Sequence, residues 1–382
     1  MSFITKILIV AVTLLVALSG CSRVSINTGS GPEPEYRVIG QSVTAGESKN
    51  YYYDALSDAE KRGYDKIKTA VTEFSDFVTF DDTLSQIQIE KLFHLVYTQE
   101  NGIFWLSELA SANGDTNSLK MTLRTNSGNA KEMQAKLDDK IRTIIADATK
   151  DADSFEQVRY IHDYIVKNCK FSATGDNINS AYGALVDGEA QCEGYAFAFG
   201  LLAKKLGFEC VTVTGTSEAG QSHAWNKILL ADNWYNIDCT WDDPVISFDN
   251  PGYIRYYYLL VPDRDIMNIS HFENTDYVKS PDATATANNY FYKTGLLFAD
   301  SGAAGVSIYD QIIRAVPTRQ TEIEIRFDAR RAYDDTVSYL FDSKGLSGII
   351  DRVNSEKNAG IANAYHSEND NLYIIHISLV YA

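Results

Sequence analysis

Gly188-Glu189-Ala190-Gln191-Cys192-Glu193-Gly194-Tyr195-Ala196 is followed by Ser222-His223-Ala224-Trp225-Asn226, and then by Trp234-Tyr235-Asn236-Ile237-Asp238. Tyr195, Phe199, Leu202 and Leu206 recur at helical spacing, so the first segment opens a helix. Ala196, Gly200 and Ala203 give it a small-residue face, and Gly207 is placed to stop it in a left-handed conformation. Phe208–Thr214, His223–Leu230 and Trp234–Thr240 read as three strands. The order helix, strand, strand, strand sets the fold class as α+β, with a cysteine-bearing helix packed on an antiparallel sheet.

The same three segments carry chemistry. A cysteine nucleophile works as thiolate, so its pKa must fall from about 8.5. A helix N-terminus, a neighbouring imidazole and a carboxylate that orients the ring all serve that end. Cys192 sits in the first helical turn, His223 opens the second strand and Asp238 nears the end of the third. Gly194 is expected to leave room for an acyl group beside the sulfur.

The hairpin register is open to a direct check. A two-residue turn at Ala231-Asp232 pairs Leu230 with Asn233 and sets Trp225 opposite Asp238. His223, two residues before Trp225, then shares a face with Asp238, within side-chain reach. A three-residue loop would put them on opposite faces, and Asp242 or Asp243 would become the alternative carboxylate. The oxyanion donors are less defined: the Cys192 N–H, with Gln191 or Tyr182 as side-chain candidates. Trp225 and Trp241 read as core and cleft wall, Cys210 and Cys239 as core, and His162 as a surface residue beside Asp163.

These motifs, with Trp241-Asp242-Asp243-Pro244 after them, resemble the transglutaminase-like superfamily over residues 153–245. The resemblance implies a papain-like thiol fold in which Cys192 is nucleophile, His223 general base and acid, and Asp238 the orienting carboxylate. It implies a cysteine peptidase, an amidase or a cross-linking acyltransferase that works through a thioester acyl-enzyme. Within that range hydrolysis of a peptide or protein amide is the expected outcome. Amine transfer is the alternative, and a catalytically silent surface scaffold is the third reading. No cofactor is implied.

Outward from this core, residues 51–150 read as a helical N-terminal region, opened by the capping box Ser57-Asp58-Ala59-Glu60. Ser154 and Gln157 suggest a second capping box at the start of the core, residues 151–280. Residues 281–382 read as a small α+β unit, with Ile323, Ile325 and Phe327 alternating with charged neighbours in a half-buried strand. A terminal hairpin around Asn369-Asp370-Asn371 closes the chain.

The first residues carry a different signal. Lys6 precedes the apolar run Ile7–Leu18, too short for the ~20 residues a bilayer crossing needs but suited to a signal-peptide core. Leu18-Ser19-Gly20-Cys21 resembles a bacterial lipoprotein box, which implies cleavage after residue 20 and lipid on Cys21. Residues 21–50, with Gly29-Ser30-Gly31-Pro32, then form a tether. The expected location is extracytoplasmic, anchored by lipid to a bacterial cell membrane, with a peptide or protein substrate at the cell surface or wall. The net charge of -17 makes nucleic acid a poor partner. Cys169, Cys192, Cys210 and Cys239 show no CxxC spacing and the six histidines are scattered, so no metal site is expected.

Overall fold

The computed structural model describes residues 51–150, 152–243 and 253–382. The expected signal peptide, Cys21 and the tether lie outside the described residues. Among the described residues no helix is long and apolar enough to cross a membrane.

Ser57 caps helix α1 (Asp58–Thr72) with the reciprocal Ser57–Glu60 bonds of a capping box, as its sequence leads one to expect. Strand β1 (Phe77–Thr79) and helix α2 (Gln86–Gln99) follow. Then come strands β2 (Leu106–Asn113) and β3 (Ser118–Leu123) and helix α3 (Ser127–Ala148). The strands form a three-stranded antiparallel sheet in the order β1-β3-β2, so the N-terminal region is not helical alone. The small sheet escapes notice in the sequence because β2 leaves most of its length exposed and shows no alternation.

Helix α4 (Ser154–Asn168) opens the core, capped by Asp153, whose side chain accepts the Glu156 N–H. Gln157 reaches the Ala152 carbonyl, so the second capping box is replaced by a simple aspartate cap. Helix α5 (Cys192–Lys205) buries every residue from Gly194 to Ala203. A helix apolar on all sides belongs in the middle of a domain. Gly207 takes φ 88° at its end, as the left-handed stop requires.

Strands β4 (Cys210–Ser217), β5 (Ser222–Leu230) and β6 (Asn233–Ile237) form a meander against α5. The one-turn helix α6 (Cys239–Asp242) and strands β7 (Leu259–Val261) and β8 (His271–Glu273) complete an antiparallel five-stranded sheet in the order β8-β4-β5-β6-β7. Leu230 pairs with Asn233, and Ala231 and Asp232 both take positive φ, the signature of a type I′ turn. The two-residue register is thereby realised. The third strand stops short of Asp238, however, because that side chain turns back to cap α6.

The N-terminal region shares one hydrophobic core with this sheet, from Tyr52 to Leu260. The buried Gln99 amide strengthens the join by donating to the Thr212 carbonyl (2.8 Å) and accepting its N–H (3.1 Å).

Beyond it lie strand β9 (Leu297–Phe298), helix α7 (Ser301–Ala315) and strand β10 (Glu322–Phe327). Helices α8 (Arg330–Val337) and α9 (Gly345–Lys357) lead to the hairpin β11 (Ile361–Asn369) and β12 (Ile374–Tyr381). These build a sheet in the order β9-β10-β12-β11 over a core of its own. Strand β10 is covered on both faces rather than half-buried: Glu324 takes the Tyr253 hydroxyl and Arg326 pairs with Asp265 at 2.6 Å. Tyr257, Val261, Phe291 and Ile374 form an apolar seam between this unit and the central sheet.

Candidate active site

The structure brings Cys192, His223 and Asp238 together. Gln191 caps α5 in an extended conformation, so Cys192 is the first helical residue, where backbone N–H groups lack helical partners. Its sulfur is half-buried and lies 3.9 Å from the Ser222 carbonyl oxygen, beside the first residues of β5. His223 Nε2 donates to Asp238 Oδ2 at 2.6 Å. That leaves Nδ1 as the ring nitrogen without a carboxylate partner, and the Cys192 thiol is close enough to the imidazole to help raise its pKa.

The electrostatics suit a proton shuttle. Burial alone would lower the pKa of His223, but the Asp238 charge and bond, with Cys192 beyond, raise it to about 10. Burial also works against the Asp238 charge, yet His223 and a second imidazole hold that carboxyl well below its usual range. The remaining thiols behave as core groups. Burial pushes Cys169 and Cys210 up to about 12 and Cys239 far above its ordinary value.

Trp225 and Trp241 stack on the His223 ring at 6.0 and 5.0 Å between centroids. Trp225 is sealed, with its Nε1 donating to Asn236 Oδ1, so it backs the imidazole and does not wall a cleft. Trp241 is half-buried. Of the oxyanion candidates, Tyr182 is buried against Phe104, 5.1 Å between ring centroids. Gln191 is half-buried and its side chain takes no part in capping α5, which leaves it the better placed of the two. Gly194 has a different reason from the one expected. A Cβ there would lie 2.4 Å from the Ile178 carbonyl oxygen and 2.6 Å from Ala190 Cβ, so it serves packing and not substrate approach.

Two residues of this region differ from the sequence reading. His271, on β8, puts Nε2 3.0 Å from the same Asp238 Oδ2. No motif surrounds it, and only the pairing of β8 with β4 brings it there. His162 is fully buried, not on the surface. Its Nε2 lies 3.1 Å from Asp242 Oδ2 and its Nδ1 3.0 Å from Asp163 Oδ1. Neighbouring helical side chains do diverge, but Phe155, Val158, His162 and Ile165 share the apolar stripe of α4, and that spacing is the signal that places it inside.

His223, Asp238 and His271 are also a donor set that a metal ion could use, with their ligand atoms within 4.8 Å of one another. The separations of 2.6 and 3.0 Å are those of hydrogen bonds. Two donors of one tetrahedral ion at ~2.0–2.1 Å would stand roughly 3.3 Å apart. The site as built is a hydrogen-bonded proton network.

Residues 140–239 match the transglutaminase-like superfamily, a span that contains Cys192, His223 and Asp238. Kyphoscoliosis peptidase of Mus musculus is 27% identical over 189 residues, covering 42% of this chain and 28% of the mouse protein. The protein of the same name from Homo sapiens is 29% identical over 152 residues, covering 35% of this chain and 22% of its own. The chain thus spans less than a third of the length of these relatives. A TGase of known structure aligns at 17% identity and a TM-score of 0.26, over 46% of this chain and 52% of that one. The central domain of this protein is a transglutaminase-like core, in a chain of mixed helix and antiparallel sheet.

Proposed function

We propose that this protein is a thiol-dependent enzyme that cleaves amide bonds of peptides or proteins, with Cys192, His223 and Asp238 as its catalytic residues. The observation that carries the reading is the chain of contacts from the half-buried Cys192 sulfur at a helix N-terminus, through His223, to a buried ionised Asp238. The Cys192 thiolate adds to the scissile carbonyl carbon, and the oxyanion takes the Cys192 N–H with Gln191 as second donor. The C–N bond breaks as His223 passes its proton to the leaving amine, giving a thioester and the free amine. His223 then takes a proton from water, hydroxide adds to the thioester, and carboxylic acid and Cys192 are released.

Water is favoured over an amine as the second acceptor. Only about 46 residues separate Cys192 from Asp238, little sequence for a dedicated amine channel. Excluding water would require such a channel. Trp241, half-buried and stacked on the imidazole, could wall such a channel and is what favours the amine alternative. The Leu18-Ser19-Gly20-Cys21 segment supports a mature protein held by lipid on Cys21 outside the cytoplasmic membrane, where cell-surface or wall proteins are the substrates within reach.

The test is to incubate candidate surface proteins with the purified protein, with and without a labelled primary amine. Shortened fragments that vanish in Cys192→Ala, with no incorporated label, support hydrolysis. Amine incorporation or high-mass ladders that vanish in Cys192→Ala establish the cross-linking alternative, and no Cys192-dependent product of any kind returns the protein to the scaffold reading. For the anchor, mass spectrometry of membrane-extracted protein is expected to find acylated Cys21 as the first residue. An unmodified N-terminus elsewhere overturns it.

A further inference from the structure

Asp238 is bonded at every lone pair. Oδ1 accepts the Thr240 N–H at 2.9 Å and the Trp241 N–H at 3.2 Å. Oδ2 accepts His223 Nε2 at 2.6 Å and His271 Nε2 at 3.0 Å. A carboxylate offers about four acceptor sites, so the set is complete, and His271 fills the last of them.

The protonation state of His271 follows from its partners. An ionised carboxylate only accepts, so Nε2 must carry a proton. Its Nδ1 lies 2.9 Å from the Ser270 hydroxyl, which can donate to it. Burial holds the ring in its neutral form, against the pull of Asp238. The ring is fully buried, edge-on to Trp225 at 5.0 Å and tilted against Trp241 at 4.6 Å, so it has no room to turn over. Strand β8 can lie this close to β4 because Gly215 stands opposite Glu273, two residues beyond His271. A Cβ on Gly215 would lie 2.0 Å from the Phe272 carbonyl oxygen.

The geometry points to His271 as a positioning residue for the catalytic acid–base pair: a fixed, neutral N–H donor that keeps Asp238 ionised and aimed at His223. This inference rests on the proposed thiol chemistry. Without His271, Oδ2 has one donor instead of two, so Asp238 takes up a proton at higher pH and is freer to rotate. The imidazolium that pairs with the Cys192 thiolate is then less well held. Both effects move thiolate formation toward higher pH. The other titratable groups around Asp238 are Cys239 and Asp242 on α6, with Tyr258 before β7. None of these donates to Oδ2.

The test is the rate of iodoacetamide alkylation at each cysteine of the full-length protein across pH 4–9, read by peptide mass spectrometry. In wild type, Cys192 should react faster at neutral pH than Cys169, Cys210 or Cys239. In His271→Phe the acid limb of the Cys192 profile should move up by about one pH unit, roughly tenfold in rate on the limb. His271→Gln, whose amide nitrogen can stand where Nε2 stood, should restore the wild-type limb. If His271→Phe does not fold, His271→Asn, whose shorter amide falls short of Asp238, takes its place with the same expectation. An unmoved limb in the Phe or Asn variant overturns the inference, and so does an equal displacement in Gln. A wild-type Cys192 no faster than the buried thiols overturns the parent reading, and the His271 role falls with it.

Discussion

The two ends of α6 each carry a histidine–aspartate pair sealed from water, and their far-side partners differ. At the N-terminal end, His223 holds Asp238 with one nitrogen, and the Cys192 thiol lies close to the ring. At the C-terminal end, His162 places both nitrogens on carboxylates, Asp242 and Asp163. A ring between two acceptors must donate from both sides, so His162 is a fixed imidazolium. Burial opposes its charge, but the two carboxylates outweigh that and raise its pKa to about 9. Asp242, raised by burial to about 6, is still ionised at neutral pH. What separates the proposed proton shuttle from a structural ion pair is therefore the atom on the far side of the ring, not burial or the pair itself.

The two pairs are also linked. Asp242 accepts the Tyr258 N–H at 3.1 Å, and the Tyr258 carbonyl accepts the Asp238 N–H at 3.3 Å. The His162–Asp242 pair thus fixes the segment that supports the proposed catalytic pair.

The sharpest way to break the comparison is to disable one member of each pair in turn. Asp238→Asn should cost on the order of 10³–10⁴-fold in turnover, because the ring loses the carboxylate that orients and stabilises it. A loss smaller than tenfold in a steady-state assay would mean that another carboxylate serves His223. His162→Leu should instead act on stability. It leaves Asp242 buried without its counter-charge, which costs about 3–5 kcal/mol. Its Cys192 alkylation rate, measured well below the unfolding temperature, should stay within about threefold of wild type. A collapse of the alkylation rate in a folded variant would make the lower pair part of the reaction.

The pH dependence of stability sharpens the same contrast. An imidazole whose pKa is raised by folding gives its full stabilisation below 6.5 and loses it as pH climbs through about 9. Denaturant unfolding at pH 6.5 and pH 9 should therefore show a fall to which His162 contributes about 3 kcal/mol. The double variant His162→Leu with Asp242→Asn should lose that portion and keep the part that comes from His223. An identical fall in both proteins would deny that His162 is charged. The smallest effect is expected at Trp241, whose ring stacks on His223. A π face favours an imidazolium, so Trp241→Leu should lower the alkaline limb of the kcat/KM profile by about half a unit to one unit. No displacement of that limb would make the stacking mere packing.

Local rules made much of this protein legible in its sequence. The spacing of Tyr195, Phe199, Leu202 and Leu206 located α5, and Gly207 located its end. The two residues Ala231 and Asp232 fixed which face of the hairpin carries His223, because side chains alternate along a strand and a turn of known length sets the register. Those are short-range constraints, written within a few residues of one another. Tertiary structure decided what depends on contacts between distant segments. It brought His271 to Asp238 across β4, buried His162 against α6 80 residues further on, and gave Gly194 its reason in the carbonyl of Ile178. A histidine has the same side chain whether it shuttles a proton, fixes a carboxylate or closes an ion pair. Its role is set by the groups that the rest of the chain packs against its two nitrogens, and those partners are chosen by the fold.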